Sequence, residues 1–358
     1  MLDFTSALYL GMKHPAGSLL PWEAFTSGVP AALFEPPEAK EVAQQVATLQ
    51  GCERGLLGTS TLHLFWDFFG MFSRGGVSVY VDRGTYPIAR WGVERAAGRG
   101  AMVREFAHHD PEDLQRSLAL NTHGNALVVV LTDGFCPECG RPAPLHEYLR
   151  VVRSRGGWLV VDDTQALGIF GTWDNTALYG RGGGGMLPRL RISGPDLLVV
   201  SSLAKGFGTP VAVLSGSKKA LDEFEMKSET RMHCSPPSLP VIRAAQHALV
   251  LNRVHGDRLR ARLSSLVFRF RRRAQEVGVR CKEGLFPIQT LLTGSKTNTR
   301  ELHERLARNG VRTVLRYENG TSDLRISFVI TARHTPQEID RAVGVLSASL
   351  CKVNELAM

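Results

Sequence analysis

The sequence is poor in cysteine: six in 358 residues are too few for a disulfide-stapled scaffold. Long apolar runs are missing as well. The longest, Ala126 to Leu131, is six residues, whereas a membrane-spanning helix needs about 20, so no bilayer crossing and no membrane partner are expected. Met1-Leu2-Asp3-Phe4 has neither a basic flank nor an apolar stretch, and so does not read as a secretory signal. A cytoplasmic location is the expectation. There is no internal repeat and no long low-complexity segment. The most biased stretch, Gly182-Gly183-Gly184-Gly185, reads as a flexible loop. Acidic residues are the scarcer charge, 34 against 43 Lys+Arg for a formal +9, which leaves open an anionic partner: nucleic acid, an anionic cofactor or an acidic substrate.

What is present is a soluble enzyme's composition. Apolar residues make up 43% and charged residues 22%, which excludes wholesale disorder. The length exceeds that of a usual single core, so one large or two packed domains are expected. Short β-type runs alternate with helix-sized spacers: Val77 to Val81, Ala126 to Leu131, Trp158 to Val161, Leu197 to Ser201 and Val211 to Leu214. Continuous apolar strands so spaced predict an α/β fold with a mainly parallel central sheet covered by helices on both faces. Ligands of such sheets bind beyond the carboxyl ends of the strands. The polar residues that follow the strands are therefore the candidates for chemistry.

After Pro236-Pro237 the pattern changes. Residues 241 to 277 read as helical, with Leu259, Leu263, Leu266, Val267 and Phe270 on one face. The run Arg258, Arg260, Arg262, Arg269, Arg271, Arg272 and Arg273 surrounds that stripe and reads as a solvated face. With no recognisable reading module beside it, no nucleic-acid partner is expected. A strand near 287–292, a helix near 298–309, a strand near 323–330 and a helix from Pro336 follow. The expected organisation is an N-terminal segment, 1–25, packing with a small domain, a large domain at 26–240, and a smaller α/β C-terminal domain at 241–358.

Two segments carry chemistry. Ser201-Ser202-Leu203-Ala204-Lys205-Gly206-Phe207-Gly208 places a lysine in a small-residue turn after a strand. A lysine there, in partly apolar surroundings, has a lowered pKa and forms Schiff bases; the alternative is a solvated surface lysine. Upstream, the strand ending in Val160-Val161 delivers Asp162-Asp163, followed by Thr164-Gln165. A buried carboxylate at that place keeps a heterocyclic nitrogen protonated; the alternative is a helix cap. Together, an acid after one strand and a lysine after the next suit pyridoxal 5′-phosphate (PLP).

On these residues the sequence resembles the fold-type I PLP-dependent enzymes of the class I/II aminotransferase superfamily. Within it the α-oxoamine synthase branch, the 8-amino-7-oxononanoate synthase-like enzymes, is most similar. The resemblance runs from Leu2-Asp3-Phe4 to Ile339-Asp340 and is densest from Val160 to Gly216. It implies Lys205 as the Schiff-base lysine and Asp162 as the partner of the ring nitrogen. It implies a phosphate site from Thr59, Ser60, Thr61 and Ser202, where Gly58-Thr59-Ser60-Thr61 opens a helix. Tyr86 falls where the branch stacks a histidine on the cofactor ring, Asp133 at an acidic position near the cofactor, and Arg325 at a clamp for the substrate carboxylate. Gln165 stands where the branch has a histidine that contacts the ring hydroxyl, and Ala7 where it has a substrate-binding asparagine. The cofactor machinery is kept while the substrate-facing groups are altered.

The resemblance implies a homodimer, with Ser235 reaching the partner's phosphate. It implies an amino-acid substrate and an acyl-CoA or acyl-carrier-protein thioester, joined with loss of CO₂. Two alternatives stand beside that reading: an aminotransferase, and a PLP-fold binding protein without catalysis. Cys136-Pro137-Glu138-Cys139 has no second ligand pair at suitable spacing, His146 is isolated, and His108-His109 reads as a polar turn, so no metal site is expected.

Overall fold

The computed structural model describes residues 1–72, 76–120, 126–292, 298–318 and 321–355, with side chains described up to residue 350. The chain divides into two compact units. The larger comprises Met12–Cys136 and Pro142–Gly256, and the smaller comprises Met1–Gly11, Pro137–Arg141 and the chain from Asp257 onward.

The larger unit is built on a seven-stranded sheet. In chain order its strands are β1 (Arg54–Gly58), β2 (Val77–Asp82), β3 (Met102–Phe106), β4 (Leu127–Asp133), β5 (Trp158–Asp162), β6 (Leu197–Ser202) and β7 (Ala212–Gly216). In space the order is β1-β7-β6-β5-β4-β2-β3. Pairing is parallel from β6 through β5, β4 and β2 to β3, and β7 runs antiparallel to both β6 and β1. Six strands therefore point one way, and their carboxyl ends lie along one edge. The strands at the centre are buried on both faces: Val129, Val130, Leu131, Leu159, Val160, Val161 and Val199 are fully covered. That double burial is why they read as unbroken apolar runs rather than alternating ones.

Helix α1 (Pro37–Leu49) precedes β1, and helices α2 (Thr61–Gly70), α3 (Pro87–Gly98), α4 (Pro111–Ala119) and α5 (Leu145–Arg153) fill the spacers between strands. On α2, Leu64, Phe65, Phe68 and Phe69 are buried in one core with Val79, Val129, Leu131, Val160 and Val200 of the sheet. Each such side chain contributes about 2 kcal/mol by leaving water. This anchorage fixes the start of α2 beside the end of β1. The polar Gln50, 1% exposed, joins two strands from outside the ladder: its amide donates to Ser201 Oγ at 2.8 Å, and Ser215 Oγ donates to its carbonyl at 2.8 Å. A buried amide left unpaired would cost about 1–3 kcal/mol.

The glycine run is not a loose spacer. It forms a close-packed turn between the strand Ala177–Arg181 and the short helix α6 (Met186–Leu190). Gly185 has φ +88°, and a Cβ there would lie 1.8 Å from Asp163 Oδ2. Glycine is required by both backbone and space.

The larger unit closes with α7 (Lys218–Lys227), α8 (Glu229–His233) and the first part of the long helix α9 (Leu239–Glu276). In the smaller unit the latter part of α9 buries Leu263, Leu266, Val267 and Phe270, and Phe270 packs on Phe328 with ring centroids 4.9 Å apart. A four-stranded antiparallel sheet follows, in the order β8 (Arg280–Cys281), β9 (Ile288–Leu292), β11 (Leu324–Val329), β10 (Val314–Tyr317). Helices α10 (Thr299–Arg308) and α11 (Pro336–Glu355) complete it, and Leu2–Asp3 pairs in parallel with Val311–Arg312.

The arginines of α9 only partly form the solvated face expected: Arg258, Arg262 and Arg272 are exposed, but several of the run are buried or tied down. Arg260 is 2% exposed and is held by Asp257 at 2.7 Å. Arg262 donates to the carbonyls of Ala332 and His334 at 2.7 and 2.8 Å, and Arg271 to Lys282 O, Gly284 O and Gln289 Oε1. Arg269 grips Asp340 with both prongs. The guanidinium fork satisfies backbone carbonyls that would otherwise be left short. Among the described residues no helix is long and apolar enough to cross a membrane.

Candidate active site

The acids expected at the strand ends meet along the carboxyl edge of the larger sheet. Asp133, the last residue of β4, is the register partner of Asp162, the last residue of β5. Side chains of a strand alternate between faces, so Asp162 and Asp163 part company. Asp162 is 6% exposed, and its Oδ1 accepts the Thr164 N–H at 3.0 Å. Asp163, 1% exposed, accepts the Met186 N–H on Oδ2 at 2.9 Å and so holds the start of α6. Burial pushes the Asp163 carboxyl well above the ordinary range, against the pull of the Met186 N–H. The acidic pair thus divides into one group on the open edge and one structural group.

Lys205 lies in the turn between β6 and β7. That turn rests on the one after β5: a Cβ at Gly206 would lie 2.5 Å from Leu167 O, so only glycine lets the two loops touch. Thr164 ties them together again, its Oγ1 accepting the Ser202 N–H at 3.1 Å. Ser202 Oγ accepts the Ala204 N–H at 3.2 Å, which shapes the approach to the lysine. His14 supports the far side, with Nε2 2.9 Å from Phe207 O and Nδ1 3.1 Å from His247 Nδ1.

The electrostatics are those of one half-buried amine near two carboxyls, of which Asp162 is buried and Asp133 half-buried. Burial lowers the Lys205 pKa, and Asp162 and Asp133 oppose that. Burial raises the Asp133 carboxyl well above its usual range, the charge of Asp162 raises it further, and the Tyr86 N–H, 3.2 Å from Oδ1, pulls it back. Burial raises Asp162 too, tempered by its hydrogen bonds from Thr164 and by Lys205. The cluster is short of positive charge at its carboxyl side. The ring of Tyr86 is half exposed and lies over the amine, 5.5 Å from Nζ to ring centroid.

The Gly58–Thr61 segment joins the same edge through the sheet. Gly58 and Ser202 are both register partners of Ala212. Ser60 caps α2, its Oγ accepting the His63 N–H at 3.4 Å. Thr59 is exposed and Thr61 is the first residue of the helix. The free N–H groups at the start of α2 and these hydroxyls are groups that could hold an anion. Gln165 sits half-buried just past Asp162.

Arg325 belongs to the smaller unit, on β11. There its Nε donates to Glu318 at 2.8 Å and its NH2 to Asp323 at 3.4 Å, while Glu318 also takes Lys282. Two residues were missed in the sequence. Thr164 joins the acid turn to the lysine turn, and nothing in its local pattern signals that. His63 places Nδ1 2.8 Å from Ser60 Oγ; the spacing of three from a helix-capping serine was its visible signal.

Comparison with known proteins bears on the fold and the family. Over 357 residues the chain is 29% identical to an 8-amino-7-oxononanoate synthase of Sodalis glossinidius (strain morsitans), covering 97% of this chain and 87% of that one. Among solved structures, one of SPT with PLP superposes with a TM-score of 0.85 at 18% identity, over 98% of this chain and 88% of that chain. The 8-amino-7-oxononanoate synthase of Francisella tularensis does so with a TM-score of 0.77 at 17% identity, over 98% of both chains. The fold is the fold-type I arrangement of these PLP enzymes. Residues 23–346 match the family described as aminotransferase class I and II, and the chain is a member of that family.

Proposed function

We propose that the protein is a PLP-dependent transferase that condenses an amino acid with an acyl thioester and releases CO₂. The observation that carries this is the Lys205 amine close enough to feel the charges of Asp162 and Asp133, which are register partners at the carboxyl edge of the sheet. The nature of the curated relative, an 8-amino-7-oxononanoate synthase over nearly the whole chain, supports the type of reaction.

The residues fit PLP by their chemistry. Two acids pushed above their usual range by burial call for a cation between them and bulk water, and a protonated ring nitrogen at Asp162 is such a cation. The amine of Lys205, with its pKa lowered by burial, has the free base needed to join an aldehyde. Thr59, Ser60, Thr61 and Ser202 would hold the phosphate, and Tyr86 would cover the ring. PLP bound there supplies an electron sink for the amino acid's Cα.

The chain's own residues do the rest. With PLP bound, Lys205 would take the proton from the amino acid's Cα and later return one. Asp162 keeps its partner nitrogen charged throughout. Asp133 lends negative charge to the same group and fixes the Tyr86 backbone. Gln165 would donate a hydrogen bond to the ring hydroxyl, and its amide has no proton to transfer. Arg325 receives the substrate carboxylate in place of its present Glu318 partner. In sum, amino acid, acyl thioester and one proton give an amino ketone, CO₂ and a free thiol: the new C–C bond joins Cα to the acyl carbon, and the Cα–carboxylate and acyl–sulfur bonds break. The proposal includes a homodimer in the cytoplasm, checked by light scattering and by cell fractionation.

The test is product analysis of PLP-loaded protein given single amino acids with an acyl-CoA. Thiol release in step with CO₂ supports the reading. Transfer of the amino group to a keto acid, without CO₂, would replace it with an aminotransferase, a reading left open by Gln165, Tyr86 and Ala7, which depart from the branch.

A further inference from the structure

The first turn of α2 contains a side-chain pair that the cradle reading leaves unused. Ser60 Oγ already accepts the capping N–H of His63 at 3.4 Å, and His63 Nδ1 stands 2.8 Å from the same oxygen. A hydroxyl has one proton to give. If Nδ1 is bare, Ser60 gives that proton to the imidazole and has none for an anion. If Nδ1 carries hydrogen, Ser60 accepts it, and the O–H is released. The state of one ring nitrogen thus decides whether the capping serine is a donor or an acceptor toward the cradle.

We propose that His63 is a positioning residue of the phosphate cradle: it carries a proton on Nδ1 when the anion is bound and thereby turns the Ser60 hydroxyl onto it. This rests on the reading of Gly58–Thr61 as the phosphate site. A neutral ring with its hydrogen on Nδ1 is enough for this, and a phosphate at the helix start favours the state in which the hydroxyl is released.

The groups around His63 leave this role to it. Asp67, one turn along α2, is engaged by the Ser228 and Thr230 hydroxyls and the Thr230 N–H. Across the cleft that His63 lines, Arg231 is held by Glu35 and Glu225, and Cys234 is exposed. The surrounding charges are paired off, and His63 is the titratable group joined directly to a cradle hydroxyl.

The experiment titrates apo-protein with pyridoxine 5′-phosphate, which has the phosphate but no aldehyde for Lys205, and follows tryptophan fluorescence. PLP and phosphate-free pyridoxal are run beside it. His63→Ala weakens binding of both phosphates by about tenfold, the common loss for a charge-assisted hydrogen bond. His63→Asn, whose amide N–H still donates to Ser60, recovers affinity to within about threefold. Pyridoxal binding is unchanged in every variant. Equal affinities in parent and His63→Ala overturn the role of His63 and leave the cradle standing. Equal loss for pyridoxal shows a merely structural effect and also overturns it. Pyridoxal binding as tightly as PLP in the parent overturns the cradle itself.

Discussion

Asp133 and Asp162 stand opposite each other at the ends of adjacent parallel strands, and both face the amine of Lys205. Two carboxyls and one amine so placed cannot all be charged without cost. The apo-protein carries that cost, and a cationic ring nitrogen relieves it.

This fixes a sign for pH dependence. Both carboxyls hold protons to higher pH when folded, so above the ordinary aspartate value, about 3.9, the unfolded chain releases protons first. Stability from these groups is then lost as pH rises. Asp133→Asn removes one of the two titrations while its amide oxygen still accepts the Tyr86 N–H. The urea midpoint of apo Asp133→Asn is expected to match the parent's near pH 4 and to exceed it increasingly up to pH 8. A gap that narrows over that range would sink the argument.

For Lys205, borohydride treatment of the PLP-loaded parent should leave a PLP-sized mass on the peptide holding Lys205. Lys205→Ala should take up none. Turnover of whichever amino acid the parent accepts should fall by at least about 10³-fold, the scale of losing a general base. An adduct on another lysine would show the wrong residue has been assigned.

The glycine turn makes a comparison of two substitutions informative. Gly182 and Gly185 both have positive φ, +83° and +88°, but a Cβ at Gly182 meets only Leu49 Cδ1 at 4.0 Å. Gly182→Ala should therefore cost the backbone strain alone, roughly 1–2 kcal/mol. Gly185→Ala adds the collision with Asp163 and should cost roughly 3–5 kcal/mol. Chemical denaturation of the two side by side decides it, and equal losses would mean that the Asp163 contact does not matter.

Thr164→Val deletes the acceptor for the Ser202 N–H at nearly constant shape. A loss of about 1 kcal/mol in stability should accompany weaker PLP binding, and Thr164→Ser should restore both. PLP affinity is read by equilibrium dialysis; unchanged binding in Thr164→Val would separate the two loops functionally.

The parts of the site that could be read from sequence share a cause. Asp162, Asp133 and Lys205 each follow a strand buried on both faces, and such strands write themselves as unbroken apolar runs that stop at the sheet edge. The pieces that stayed hidden depend on partners far along the chain. No local pattern says that β7 runs backwards between β1 and β6, because Val213 and Leu214 would look the same in either direction. Arg260 looks like its solvated neighbours until Asp257 and the burial around it are seen. His63 sat at a legible capping position, but its ring meets Ser60 by a rotamer that spacing does not dictate.

The inserted antiparallel strand has a consequence for how the protein is made. Gly58 and Ser202, the two ends of the phosphate cradle, meet only through Ala212 of β7. The first half of the cradle leaves the ribosome early and waits, lacking its sheet neighbour, until more than 150 further residues have been synthesised. Contacts of such long sequence separation form late. A nascent chain interrupted before Ala212 should therefore not retain the cofactor.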